Sequence, residues 1–176
     1  MNKEIEKIID DTIKSIWMKD IKADYDGGWL LREDTLKNAF YHHLRTKLGQ
    51  IFELKGIRVY SEYTGEVFAG SGFRPDIVIA EIKSNGEKNL ICVIEIKYKN
   101  GFYPHKDILK DYEKLKYYVE EMGVSCKLYM ATIWEYEDDQ TSWERKNAYW
   151  ANGQLTELNA SYSQKSKDMT FYVCKH

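Results

Sequence analysis

The chain has few cysteines, which can cross-link small folds, and few prolines, which interrupt regular secondary structure. Its 176 residues include three cysteines and two prolines. The cysteines, at positions 92, 126 and 174, form no close pair, which argues against a disulfide framework or a zinc knuckle. Because Cys92 and Cys126 lie inside apolar, strand-like runs, we expect buried and reduced thiols, as in a cytosolic protein.

Long hydrophobic runs are also missing. The longest one, Leu90 to Ile94, is far too short to cross a bilayer. The first seven residues, Met-Asn-Lys-Glu-Ile-Glu-Lys, contain no apolar signal core. We therefore expect a soluble, cytoplasmic protein that has no membrane partner.

The chain has no overall excess of basic charge. Its formal net charge is −2 and its pI is about 6.1, unlike a protein that coats nucleic acid without specificity. Basic charge is concentrated locally, since the segment from Lys97 to Lys116 holds six lysines and three acids. Nucleic-acid binding would therefore depend on a local basic face, on bound cations, or on both.

Apolar content, in contrast, is sufficient for a core, because 43% of the residues are hydrophobic and 14% are aromatic. The length predicts one domain, with an N-terminal helix and loop over 1–30, a core over 31–134 and an extension over 135–176 packed on it. Periodicity predicts helices over 3–19, 32–49 and 107–122, and strands over 57–63, 76–83, 89–99, 125–134, 155–162 and 169–174. This order predicts an α/β fold in which helices flank a mixed central sheet.

One hairpin gathers residues that suit metal chemistry. Asn85-Gly86 is a strong hairpin signal, and a two-residue turn there pairs Ile82 with Asn89 and Asp76 with Glu95. Directly opposed side chains lie on one face with their Cβ atoms about 5 Å apart. Lys97, two residues after Glu95, points to the same face.

The chain contains a second Glu-Ile-Lys, at residues 81–83. Glu81 has the opposite parity from Asp76 and lies near the turn. We therefore interpret Glu81 and Lys83 as solvated hairpin residues. Because the tripeptide occurs twice, it is a weak signal unless an opposed carboxylate accompanies it.

Two facing carboxylates repel each other unless a cation lies between them. Mg²⁺ suits such a position, because it takes one or two carboxylates together with waters and phosphate oxygens. An ammonium group beside that site can bind the phosphate and hold the attacking water. The pattern therefore predicts a magnesium site at Asp76 and Glu95, with Mn²⁺ as a substitute and Lys97 beside it.

Arg74-Pro75-Asp76, followed after eighteen residues by Glu95-Ile96-Lys97, resembles the PD-(D/E)xK nuclease superfamily. The resemblance spans residues 30–134 and indicates no particular subfamily. It implies a restriction-endonuclease-like core. It also implies a magnesium-dependent endonuclease that hydrolyses phosphodiester bonds, with DNA as the expected substrate, in repair, recombination, restriction or mobile-element biology.

The resemblance also implies roles for individual residues. Asp76 and Glu95 would ligate the metal together with the backbone carbonyl of Ile96, and Lys97 would position the nucleophilic water and stabilise the pentavalent phosphorus. Many members add a glutamate on the first core helix, and Glu33 matches it, in line with the apolar stripe that follows. Glu33 can also be an ordinary first-turn glutamate that is favoured by the helix dipole. Glu62 is the alternative candidate for the additional acid.

Many members also carry Gln or Lys followed four residues later by Tyr on the helix after the motif, and Lys114 and Tyr118 match that spacing. Lys114 would contact a phosphate, or it is an ordinary solvated lysine. With Lys99 and Lys110, these residues are our candidate contacts to nucleic acid. Cutting a duplex requires two sites, which a homodimer would supply.

Two other hypotheses remain open at this stage. One is a catalytically inactive module on the same fold that binds nucleic acid or protein. The other is an unrelated α/β interaction protein in which the spacing is accidental. A structure that placed Asp76 far from Glu95 would favour the latter.

Overall fold

The protein has an α/β fold, as predicted, with a six-stranded mixed sheet whose strands follow chain order. The structure is a computed structural model and describes residues 3–99, 106–135, 142–143, 148–163 and 165–176. The chain divides into two compact units, Met1–Val93 and Ile94–His176. The prediction of one domain with boundaries near 30 and 134 stays a prediction. No helix in the described ranges is long and apolar enough to span a membrane.

The first unit begins with a helix that is longer than predicted. Helix α1 (Lys3–Ser15) continues through a π-helical turn (Ile16–Ile21) into α2 (Lys22–Asp26). Ile13, Trp17 and Ile21 are fully buried at intervals of four residues. An α-helix has 3.6 residues per turn, so residues spaced four apart do not stay on one face of it. The wider π-helical turn keeps Ile21 on the same face as Ile13 and Trp17.

Helix α3 (Glu33–Lys55) lies against this helical segment and against two strands of the first unit. Its buried residues recur every four positions, at Leu36, Phe40, Leu44, Leu48 and Phe52. The ring of Phe40 stacks on Trp17 at a centroid distance of 6.4 Å. Strand β1 (Ile57–Ser61) pairs antiparallel with β2 (Ile77–Ile82), and β3 (Lys88–Lys99) follows and continues into the second unit.

The second unit contains α4 (Lys106–Glu120), β4 (Lys127–Trp134), β5 (Leu155–Ser163) and β6 (Asp168–Lys175). Strands β4 and β5 are parallel, and β5 and β6 are antiparallel. Helix α4 buries one stripe, formed by Ile108, Tyr112, Leu115 and Tyr118. The strands predicted over 155–162 and 169–174 are therefore present, and they are the last two strands in the sheet order.

Candidate functional site

The hairpin turn differs from the predicted one. The amide of Lys83 donates to the carbonyl of Glu87 at 2.9 Å, and the amide of Gly86 donates to the carbonyl of Lys83 at 2.9 Å. The loop therefore contains the three residues 84–86, with Gly86 at a φ of 85°. This is a type I turn followed by a glycine bulge, which Asn-Gly suits as well as a two-residue turn.

The prediction of a two-residue turn was wrong, and so was the pairing next to it. Lys83 lies opposite Glu87, which changes the register beside the turn by one residue. The side chain of Asn85 stabilises this loop, because its Oδ1 accepts a hydrogen bond from the Glu87 amide at 3.0 Å. The turn consequently no longer supports pairing Asp76 with Glu95, and their joint metal site stays a prediction.

Asp76 lies directly before β2 and contacts a lysine that the sequence analysis missed. Its carboxylate is 15% exposed, and Oδ1 lies 3.7 Å from Nζ of Lys37 in α3. Lys37 also donates a hydrogen bond to Glu62 and lies 3.9 Å from Oδ1 of Asp34. Partial burial lowers the pKa of Lys37, but the hydrogen bond to Glu62 and the carboxylate charges outweigh it, so this pKa is raised.

Glu62, the alternative acid, lies beside Asp76. Its amide donates to the Asp76 carbonyl at 3.0 Å, and its Oε2 lies 3.7 Å from Nε of Arg74. Its backbone has a φ of 51°, a left-handed conformation that is uncommon outside glycine and tends to occur at functional sites. Glu33 begins α3 and is half-buried, one turn before Lys37. The roles of Glu33 and Glu62 as metal ligands stay predictions.

Glu95 is the most deeply buried of the predicted carboxylates. It is 1% exposed, as is the following Ile96. Its Oε2 accepts a hydrogen bond from Nζ of Lys114 at 2.7 Å, and its Oε1 accepts one from the Tyr118 hydroxyl at 3.0 Å. The structure thus brings the predicted pair of Lys114 and Tyr118 to Glu95, which was predicted independently, and Lys114 here contacts a carboxylate.

Lys97 is held by the same helix. Its Nζ lies 3.0 Å from Oδ2 of Asp111, and the two side chains are 17% and 20% exposed. Asp111, Lys114 and Tyr118 occupy positions i, i+3 and i+7 of α4, so they lie along one stripe. Asp111 was not among the predicted site residues, although its helical spacing from Lys114 and Tyr118 is visible in the sequence. Of the other candidate contacts to nucleic acid, Lys110 is exposed and Lys99 is half-buried.

Of the predicted site residues, Asp76 belongs to the first unit, and Glu95 and Lys97 belong to the second. Within the described ranges, no group of three or more His, Cys, Asp or Glu side chains is arranged to hold a metal ion. The described carboxylates therefore offer no closed, all-protein cage. A magnesium ion there would depend on water and substrate oxygens for its remaining ligands.

A second buried carboxylate, Glu157 of β5, lies elsewhere in the second unit and was not predicted. It is fully buried and accepts a hydrogen bond from the hydroxyl of Tyr112. The amide of Trp143 donates to its Oε1 at 3.0 Å, and Nε2 of His176 lies 3.0 Å from its Oε2. Each of these contacts joins Glu157 to a different segment, so its carboxylate connects three segments of this unit.

Comparison with known proteins adds no relative, since no family model, no curated protein and no solved structure matches the chain.

Proposed function

We propose that the protein is a metal-dependent nuclease that hydrolyses phosphodiester bonds, with DNA as its substrate and a restriction-endonuclease-like core. The observation that carries this proposal is the environment of Glu95, a carboxylate that is 1% exposed and lies two residues from Lys97. Burying charges is costly unless they are paired and hydrogen-bonded, so clusters of this kind are concentrated at functional sites.

The donor chemistry near Glu95 and Asp76 suits magnesium. Both carboxylate oxygens of Glu95 are held by side chains of α4, and carboxylate oxygens are ligands that magnesium prefers. The carboxylate of Asp76 is 15% exposed, and its Oδ1 lies 3.7 Å from Nζ of Lys37. Asp76, Glu95 and the carbonyl of Ile96 would hold the ion, which when bound supplies charge stabilisation for the phosphate.

The chain's own residues then have separate tasks. The ammonium of Lys97 donates hydrogen bonds to the attacking water or to a phosphate oxygen, and Asp111 keeps that ammonium in position. Lys114 and Tyr118 fix the orientation of the Glu95 carboxylate, so they act as positioning residues. Both tasks depend on α4, which carries the three supporting side chains, Asp111, Lys114 and Tyr118.

A binding module without activity is the second candidate. The observation that favours it is that Glu95 and Lys97 already have partners of opposite charge on α4. In such a module the same charges would stabilise the unit and perform no chemistry. Nucleic-acid binding that survives Asp76→Asn, without cleavage by any variant, would identify this case.

A cleavage assay distinguishes the two candidates. Supercoiled, linear, single-stranded and branched DNA, and RNA, are incubated with the protein and Mg²⁺ or Mn²⁺, with EDTA as the blank. We expect cleavage that Lys97→Ala reduces by at least about a hundredfold, as for loss of a group that acts in the transition state. No cleavage of any substrate, together with no metal binding by calorimetry, would overturn the nuclease proposal.

The chain provides its own matched control for this assay. Residues 81–83 repeat the tripeptide of 95–97, and the Lys83 side chain is 51% exposed beside Glu87. Lys83→Ala and Glu81→Gln therefore remove the same groups from the same local sequence outside the proposed site. Activity that fell equally in Lys83→Ala and Lys97→Ala would contradict the role of Lys97.

Sedimentation of the protein with a duplex tests the proposed homodimer.

A further inference from the structure

A cavity of about 350 Å³ lies in the first unit, and none of its lining residues belongs to the proposed site. Four of its lining residues come from α3, namely Arg45, Gly49, Phe52 and Glu53. They occupy positions i, i+4, i+7 and i+8, so they form one stripe of the helix. The cavity volume falls at the lower end of the range for small-molecule sites.

The rest of the lining comes from β1, which contributes Ile57, Arg58 and Val59. The connection is short, because α3 ends at Gly56, whose φ of 65° lets the chain turn directly into the strand. Phe52, Ile57 and Val59 are 4%, 1% and 8% exposed, so they form an apolar floor. The two arginines are exposed at its rim.

Neither Arg45 nor Arg58 forms an ion pair with any residue that the structure describes. The one described side-chain hydrogen bond of Arg58 goes from Nη1 to the carbonyl of Ile57 at 2.8 Å, which leaves most of its donors available. Two guanidinium groups on one cavity match the charge of a phosphate monoester, and their planar donor arrays suit phosphate oxygens. Glu53 adds one carboxylate, which can accept hydrogen bonds from hydroxyl groups of a ligand.

We propose that this cavity binds a nucleoside monophosphate group, with the phosphate on Arg45 and Arg58 and the apolar part of the ligand on the floor. Glu53 accepts hydrogen bonds from the sugar hydroxyls. The same group can come from a free nucleotide or from the end of a nucleic-acid strand. This inference does not rest on the nuclease proposal, because binding here requires neither the metal nor cleavage.

Calorimetry in EDTA tests the site without hydrolysis. The probes are adenosine 5′-monophosphate, adenosine, and a single-stranded RNA pentamer with a 5′-phosphate, whose first ribose keeps its 2′-hydroxyl. We expect saturable binding of the monophosphate and binding of adenosine at least about tenfold weaker, as for loss of a charged hydrogen-bonding group. Tighter binding of the pentamer identifies a strand end as the source, and equal or weaker binding identifies the free nucleotide.

Two kinds of variant then locate the binding. Arg45→Gln and Arg58→Gln should each weaken monophosphate binding by at least about tenfold. Gly49→Leu should abolish it by filling the cavity, and it should fold, because a Cβ at Gly49 meets nothing within 4 Å and glycine is a poor helix former. The matched control is Lys3→Gln with Lys19→Gln, which removes two exposed charges from the N-terminal helical segment.

Several results would overturn the proposal. One is the absence of saturable monophosphate binding up to about 5 mM, where a Kd of 1 mM would be evident. Others are equal affinity for adenosine and its monophosphate, or unchanged binding by a folded Gly49→Leu protein. If the arginine variants and the lysine control lost monophosphate affinity equally, the binding would depend on overall charge. That result would also contradict the site.

Discussion

Nζ of Lys114 lies 2.7 Å from Oε2 of Glu95, and these two side chains are 17% and 2% exposed. The lysine thus extends from partly exposed α4 to a carboxylate in the interior of the second unit. Tyr118, one turn later, donates to the other carboxylate oxygen. This arrangement links the stability of the unit to the orientation of a residue that we propose for metal binding.

Removing the lysine should leave a buried carboxylate poorly compensated. We expect Lys114→Met to lower the free energy of unfolding by about 2 kcal/mol, below the full cost of breaking a buried pair because Tyr118 still donates to Glu95. Urea unfolding measures this change. The double variant with Glu95→Gln should lose less than the sum of the two single variants, and strict additivity would contradict the coupling.

The pair of Lys37 with the acids near Asp76 should show a signature at high pH. The folded pKa of Lys37 is raised above 10.5, so its stabilisation is fully present below the unfolded pKa and is lost as pH rises through the folded pKa. We expect Lys37→Met to lower the free energy of unfolding at pH 7 by about 0.5–1 kcal/mol, within the range of solvent-screened pairs. The deficit should shrink above pH 10.5. Lys19→Met is the control. If Lys37→Met lowered the unfolding free energy by the same amount at pH 11.5 as at pH 7, the stabilisation by Lys37 would not come from its charge.

Glu157 should be the most sensitive polar position of the second unit. Its carboxylate accepts hydrogen bonds from Tyr112 and the Trp143 amide and contacts His176. We expect Glu157→Leu to cost about 3 kcal/mol of unfolding free energy, because buried donors lose their acceptor. His176→Ala should cost about 1 kcal/mol. Glu113→Gln, on the exposed face of α4, should change stability by less than about 0.5 kcal/mol, and a similar loss there would exclude a specific role for Glu157.

The cysteines should react slowly in the folded protein. Cys92 is buried, and burial raises the pKa of Cys126 to about 12. Burial, followed by the charge of Glu157, raises the pKa of Cys174 as well. Because the thiolate is the reactive species, we expect little alkylation by iodoacetamide at pH 8 and rapid modification of all three thiols in urea. Rapid modification of Cys126 in the native protein would contradict this environment.

Elements with clear periodicity were predicted well, and their ends were predicted less well. Helix α3 continues past Gly49 to Lys55, because the burial of Phe52 on the same stripe outweighs the low helix propensity of one glycine. The segment around Asp24 was predicted as a loop from its composition. It is helical, and Asp24 is held by a contact from Oδ2 to Nε2 of His43 at 2.8 Å. Such a contact joins residues far apart in the chain, so local composition does not reveal it.

The sequence by itself determined the α/β class, the order of the elements and the adjacency of Glu95 and Lys97 on one strand. It also determined that Asp111, Lys114 and Tyr118 share a helical stripe, because helix and strand periods are local properties. Only the tertiary structure decided that this stripe holds Glu95 and Lys97 and that Lys37 contacts Asp76. Which charges meet depends on the packing of distant segments, and the sequence pattern alone does not specify that packing.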